Sequence, residues 1–210
     1  MAVLAAPPVL YQDPWLVVVD KPAGLLCQPG LGPKLTDSLI TRMQRQEPGL
    51  ALVHRLDRDT SGVLLLARTP PALRALSALF AARRVHKLYG ADVCKVPPSP
   101  GGCIDLPLAR LQRHPPRYGP HPSGRSCRTR WRLWRHGPSS RRLWLQPLTG
   151  RSHQLRAHLA ALDCPILGDP IYAADQAPGE TGRMHLHATA LSLHHPFTGE
   201  RLRCRSAMPF

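Results

Sequence analysis

The sequence predicts an α+β fold, with a mixed, largely antiparallel β-sheet core flanked by helices and loops. Two observations carry this prediction. Short β-prone runs recur without the regular strand–helix alternation of parallel α/β proteins. Helical apolar spacing is confined to three windows, near 36–46, 70–84 and 149–162, with no internal repeat or heptad.

The 210 residues are enough for one domain with a real core. That domain is expected over 14–210, after a loose leader at 1–13 that carries Pro7-Pro8. Trp15 to Val19 is a β-prone run stopped by Lys21-Pro22-Ala23-Gly24. A short helix is expected over 36–46, capped by Thr36, with Leu39, Ile40 and Met43 at helical spacing. Gly62 to Ala67 is continuously apolar and predicts a buried strand. Thr69-Pro70 supplies a capping hydroxyl followed by a first-turn proline. The helix it opens buries Leu73, Leu76, Leu79 and Phe80 and ends near Arg83 and Arg84, where cations suit the C-terminal dipole. Leu88 to Val93 follows as a strand.

Residues 97–126, rich in Pro, Gly, Arg and His, read as a mobile RNA-contacting insertion or equally as a plain solvated loop. Strands are expected at 128–135 and 141–147, joined by a turn at Gly137-Pro138. A helix starting at Thr149 and running to Leu162 comes next, and strands near 184–192 and 201–205 close the sequence.

Lys and Arg number 28 against 13 Asp and Glu, a formal charge of +15. Such a surplus favours a polyanionic partner, because each neutralised phosphate releases counterions. Lysine occurs only at 21, 34, 87 and 95. Compositional bias accounts for part of the arginine preference but not for the excess of positive charge. The six cysteines form no C-x-x-C pair, which argues against a zinc ribbon or a dithiol redox motif. With no secretory h-region and no apolar run long enough for a bilayer, a cytoplasmic protein with free thiols and no membrane partner is expected.

Polar residues crowd into 54–62, just ahead of the buried strand, and a turn feeding a core strand is a rigid mount for a reactive group. Asp57 lies there between Arg55 and Arg58; spacing alone fits a solvated turn at least as well. In Thr149-Gly150-Arg151-Ser152-His153-Gln154-Leu155-Arg156, Thr149 can cap a helix and Gly150 can admit a phosphate close to the backbone. Leu155, Leu159 and Leu162 share a face, which puts Arg156 at its border, where a half-buried guanidinium needs an anion. Tyr89 is either a core aromatic or a stacking face for a base. His153 and His158, or His185 and His187, lack the frame of a metal site, so no metal is expected.

These segments together resemble the RluA family of pseudouridine synthases. His54-Arg55-Leu56-Asp57-x-x-Thr60-Ser61-Gly62 matches its catalytic motif. Val18 to Gly24, Lys87-Leu88-Tyr89, Gly150 to Arg156, Pro165 to Asp169 and Leu186-His187-Ala188 match further elements in order, so the likeness spans about 14–207. An internal element of the family, G-K-x-A-x-T, is altered here to Gly124-Arg125-Ser126-Cys127-Arg128-Thr129. With only residues 1–13 before the entry strand, the protein is similar to the short branch without the S4-type domain, whose substrates include 23S rRNA and tRNA.

The resemblance implies an isomerase that flips a uridine out of RNA and rejoins the base through C5, without a cofactor. It implies catalytic roles for Asp57, Tyr89 and Arg156. Asp57 would act as nucleophile at C1′ or as base at the C2′ proton. Arg156 would pair with it and hold it ionised. Tyr89 would stack on the flipped base. Arg55, His54, Thr60, Arg151 and His153 are the expected RNA-binding residues, with Arg55 filling the space the base leaves. A monomer is expected. A non-catalytic RNA-binding protein of the same fold, or a metal-dependent nuclease, would be the alternatives.

Overall fold

Asp13 Oδ1 accepts the backbone N–H groups of Trp15 and Leu16 at 2.8 and 2.9 Å, turning the backbone into its first core strand. The computed structural model describes residues 5–30, 32, 35–134, 141–174 and 182–210. Its elements, in order, are β1 (Val9–Gln12), β2 (Leu16–Lys21), α1 (Leu39–Gln44), β3 (Ala51–Leu52), β4 (Ser61–Ala67), α2 (Pro70–Ala81), β5 (His86–Asp92), β6 (Gly101–Asp105), β7 (Leu108–Gln112), β8 (Arg117–Pro120), β9 (Arg128–Leu133), β10 (Arg142–Pro147), α3 (Gln154–Ala161), β11 (Leu186–His194) and β12 (Arg201–Arg205). The sequence predicts one domain over 14–210; the protein divides into two compact units. One runs to His86 and includes Ala188–Met208, and the other comprises Lys87–His187 with Pro209–Phe210.

In the first unit, β2 lies between β1 and β4, both antiparallel to it, and β12 pairs antiparallel with β11. β1 falls within the expected loose leader. Its residues are exposed, and it is held as an edge strand by the backbone of Val17–Val19, which local composition does not reveal. All seven residues of β4 are buried, which explains why its sequence is apolar rather than alternating. The Thr69 hydroxyl accepts the Ala72 N–H at 3.3 Å and Pro70 follows, so α2 starts where the sequence places it. Ala72 and Leu76 are wholly buried against Leu16, Val63 and Leu65, with Leu73, Leu79 and Phe80 partly so. Full burial of a leucine such as Leu76 contributes about 1.5–3 kcal/mol.

Helix α1 is capped by Ser38 instead of Thr36: the Ser38 hydroxyl accepts the Thr41 N–H and the Thr41 hydroxyl answers the Ser38 N–H, a reciprocal box. Gly62 has φ +110°, and a Cβ there would lie 2.3 Å from the Ala188 carbonyl oxygen. Gly62→Ala is therefore expected to destabilise the protein by at least about 2 kcal/mol, read as a fall in the urea midpoint.

The second unit is an antiparallel run β5–β10–β9–β6. Thr129 and Trp131 of β9 and Leu143 and Leu145 of β10 are buried, alternating with more exposed neighbours. The joint between β9 and β10, expected at Gly137-Pro138, lies outside the described residues. In the segment 97–126, read as a mobile insertion or a solvated loop, residues 101–105 form β6, and 108–112 pair with 117–120 as the β7–β8 hairpin. Tyr172 Oη accepts the Tyr118 N–H at 2.9 Å and ties β8 down.

Residues Gln154 to Leu159 of α3 are all buried, so the helix has no solvent face along that stretch. His158, wholly buried, is fixed at both ring nitrogens: Nε2 lies 3.0 Å from the Leu106 carbonyl and Nδ1 2.9 Å from the Thr129 hydroxyl. The neutral ring donating from Nε2 and accepting at Nδ1 fits both partners. Burial lowers the His158 pKa, outweighing the Leu106 carbonyl and Asp105, which act to raise it. Below the ordinary value of 6.5 the unfolded protein takes up a proton that folded His158 resists. This contribution to stability is present above that value and is lost as pH falls through it toward the depressed folded value. Urea midpoints taken from about pH 7.5 to about pH 5.5 should fall, and fall less in His158→Gln.

Candidate active site

Of the residues singled out in the sequence, His54, Arg55, Asp57 and Thr60 belong to the first unit and Tyr89, Arg151, His153 and Arg156 to the second. In the first, Asp57 opens a tight turn, its carbonyl accepting the Thr60 N–H at 3.2 Å immediately before β4. Asp57 is half-buried and both its sequence neighbours are anchored. On the N-terminal side, the Cys27 thiol donates to the Leu56 carbonyl (3.2 Å) and accepts the Leu56 N–H (3.3 Å). Burial raises the Cys27 pKa, keeping the thiol protonated and able to donate. On the other side, Lys21, wholly buried, donates to the carbonyls of Pro22, Leu25 and Arg58 at 2.9, 2.6 and 2.8 Å. One ammonium thus ties the Pro22–Leu25 turn to the residue after Asp57. Both anchors fix the backbone on either side of Asp57.

Arg55 is exposed, as an RNA-contacting side chain must be. Arg58 is exposed and pairs with Asp59 at 3.0 Å. His54 and Thr60 are the other two residues of this segment expected to contact RNA. The His54 ring stacks on Phe80, with centroids 4.6 Å apart, and its Nε2 accepts the Leu65 N–H at 3.1 Å, which makes it a brace between the turn and β4. Thr60 is 3% exposed and offers RNA almost no surface.

In the second unit, Tyr89 is buried on β5 opposite Leu145. Lys87, two residues earlier, has its ammonium 3.8 Å from where a Cβ on Gly150 would stand, and burial lowers its pKa. Helix α3 begins at Gln154, not Thr149, because the Gln154 carboxamide organises the preceding turn. Its oxygen accepts the Thr149 hydroxyl (2.8 Å) and the Arg151 N–H (3.0 Å); its nitrogen donates to the Arg128 carbonyl (2.9 Å) and the Thr129 hydroxyl (3.0 Å). His153 precedes the helix in the left-handed conformation, φ 53°, and makes edge contacts with the rings of Tyr118 and Tyr172. Arg151 is exposed and donates from Nε to the Ser126 carbonyl at 3.3 Å.

Arg156 is not at a border. It is 3% exposed and makes a bidentate pair with Asp169, Nε to Oδ2 at 2.7 Å and Nη2 to Oδ1 at 2.8 Å. Its guanidinium lies 5.2 Å from the centre of the Tyr172 ring. Asp169 Oδ1 also accepts the N–H groups of Ile171 and Tyr172, at 2.9 and 3.0 Å. Asp169 is therefore a carboxylate partner that helical spacing did not reveal. Its only sequence signal was its place in Pro165 to Asp169, directly after Gly168. Lys21 and Gln154 were likewise present in the matched segments with no role attached. Among the described residues no cluster of three His, Cys, Asp or Glu side chains could hold a metal ion.

The family model described as RNA pseudouridylate synthase matches residues 15–161. A dual-specificity RNA pseudouridine synthase RluA from Yersinia pestis is 41% identical over 204 residues, covering 96% of this protein and 99% of the relative. The protein of that name from Escherichia coli strain K12 is 39% identical, covering 96% of this protein and 93% of the relative. Among solved structures, human RNA Pseudouridylate Synthase Domain Containing 1 superposes with a TM-score of 0.80 at 27% identity, over 100% of this protein and 86% of that one. Human RNA Pseudouridylate Synthase Domain Containing 4 is similar at a TM-score of 0.74 and 29% identity, over 96% and 88%.

Proposed function

The protein belongs to the RNA pseudouridylate synthase family, and from that premise we propose that it isomerises uridine to pseudouridine in RNA with Asp57 as the reacting carboxylate. The observation that carries this reading is the anchoring of the Asp57 turn. Lys21 and Cys27 hold the residues on either side of it, as a carboxylate that must meet one sugar carbon requires. The reaction breaks the N1–C1′ bond, rotates the base and forms C5–C1′. Atoms are conserved and no electrons enter or leave, so the protein's own side chains suffice. Asp57 either attacks C1′ or removes the C2′ proton. Tyr89 stacks on the flipped base. Arg156, held in place by Asp169, is the guanidinium this reading assigns to the reaction. Arg55, exposed beside Asp57, occupies the stack the uridine leaves, where its planar guanidinium serves better than an ammonium.

The substrates of this reading are structured 23S rRNA and/or tRNA, the classes the resemblance to the RluA family implies, bound by a cytoplasmic monomer. No helix among the described residues is long and apolar enough to cross a membrane. Release of tritium from RNA carrying 5-tritiated uridine is the direct test, since C5 loses its hydrogen only when the new bond forms there. Release that persists in EDTA is expected. No release from any rRNA or tRNA transcript would instead favour an RNA-binding protein without catalysis, and release abolished by EDTA would favour metal chemistry.

A further inference from the structure

A basic groove opens in the second unit, with neither Tyr89 nor Arg156 in its lining. It has a volume of about 520 Å³, and Arg110, Arg125 and Arg151 line it together with Ser123, Ser152 and the backbone of Gly124 and Gly150. The three arginines come from three segments: β7, the loop after β8, and the turn before α3. Main-chain bonds hold them together. Leu108 and Arg125 exchange two hydrogen bonds, Leu108 N–H to Arg125 O at 3.0 Å and Arg125 N–H to Leu108 O at 2.9 Å. That approach requires Gly124, where a Cβ would stand 2.6 Å from the Leu108 carbonyl carbon.

Two of the guanidiniums are also oriented. Arg110 donates from Nε and Nη2 to Tyr118 Oη at 3.3 and 3.1 Å, and Arg151 is steered by the Ser126 carbonyl. No carboxylate lines the groove, and none of the three arginines forms an ion pair among the described residues. Converging cations, hydroxyl donors and glycine backbone, with no internal anion, make a site for an external one. Its volume is in the range of a ligand pocket, about 300–1,000 Å³, yet its lining is polar and open, which suits a backbone strand better than an enclosed small molecule.

We propose that this groove binds phosphodiesters of the substrate RNA at nucleotides other than the target uridine. The inference rests on the synthase reading, and it makes Arg110 and Arg125 binding residues, not catalytic ones. It also gives the β7–β8 hairpin a function: it carries Arg110 and presents it beside Arg125 and Arg151.

The double variant Arg110→Ala/Arg125→Ala tests it on the full-length protein, with Arg201→Ala/Arg203→Ala on β12 as a control that removes the same charge elsewhere. Kd for an RNA substrate is measured against salt, alongside kcat and KM for tritium release. The groove variant should bind about 10-fold to 100-fold more weakly, with a salt slope shallower by about 1.4–1.8, since each lost phosphate contact removes about 0.7–0.9 from it. Its kcat at saturating RNA should match the wild type, and its thermal midpoint should be retained. Wild-type Kd and slope in the groove variant, or an equal loss in the β12 control, would overturn the proposal. Absence of tritium release from the wild type would instead overturn the synthase reading. The binding arm would still report on the groove, so the two failures are distinguishable.

Discussion

Asp57→Ala is expected to abolish pseudouridine formation, lowering tritium release by on the order of 10⁴-fold or more, the scale seen when a reacting side chain is removed. RNA affinity should change by no more than about threefold, because the phosphate contacts that dominate affinity lie on arginines elsewhere. The fold should also survive, since Asp57 is half-buried and the neighbouring backbone is held independently by Lys21 and Cys27. Asp57→Asn is the sharper variant. It keeps the shape and removes the charge, so both roles considered for the carboxylate predict loss, whereas a purely structural aspartate would tolerate it. Turnover within tenfold of wild type in either variant would remove Asp57 from the chemistry.

Asp169→Ala is expected to cost about 3–5 kcal/mol of stability, because it leaves a buried guanidinium without its carboxylate. The pair is among the most buried charges described, with side-chain exposures of 3% for Arg156 and 0% for Asp169. The same substitution strips acceptors from the Ile171 and Tyr172 N–H groups, about 1 kcal/mol each where water cannot replace them. Urea unfolding reads the loss directly. Arg156→Lys should also be destabilising, since a single ammonium cannot reproduce two parallel N–H···O bonds. A change below about 1 kcal/mol in Asp169→Ala would mean that Arg156 finds another anion or that water reaches it. Loss of turnover in variants that stay folded would show that Asp169 acts as a positioning residue through Arg156.

Much of the molecule was legible along the sequence. Continuous apolarity in β4 marked a strand covered on both faces. Thr69-Pro70 marked the start of α2, and strands were expected where β9 and β10 lie. These are local signals: burial on two faces removes polar residues, and a capping hydroxyl satisfies an orphan N–H. The catalytic motif was equally readable, because seven fixed positions over a short stretch are visible without knowing what surrounds them.

What the order of residues hid was partnership. Arg156 demanded an anion, and local reasoning could say so. Only the fold supplied Asp169, brought against α3 after the Gly168 turn. Thr149 looked like a helix cap, yet its hydroxyl is taken by Gln154, and the helix therefore starts later. His54 and Thr60 were expected at RNA through the matched motif; only the fold shows that His54 braces β4 through the Leu65 N–H and the Phe80 ring, and that Thr60 is 3% exposed. The sequence by itself determined the α+β class and most of the strands, since these depend on composition and spacing over a few residues, and it singled out Asp57 through its resemblance to a family motif. Tertiary structure alone decided which charges meet, that Lys21 and Cys27 hold the Asp57 turn, and that three arginines from separate segments share one groove. Such pairings depend on distances through space between residues far apart in sequence, and hydrophobic periodicity carries no record of them.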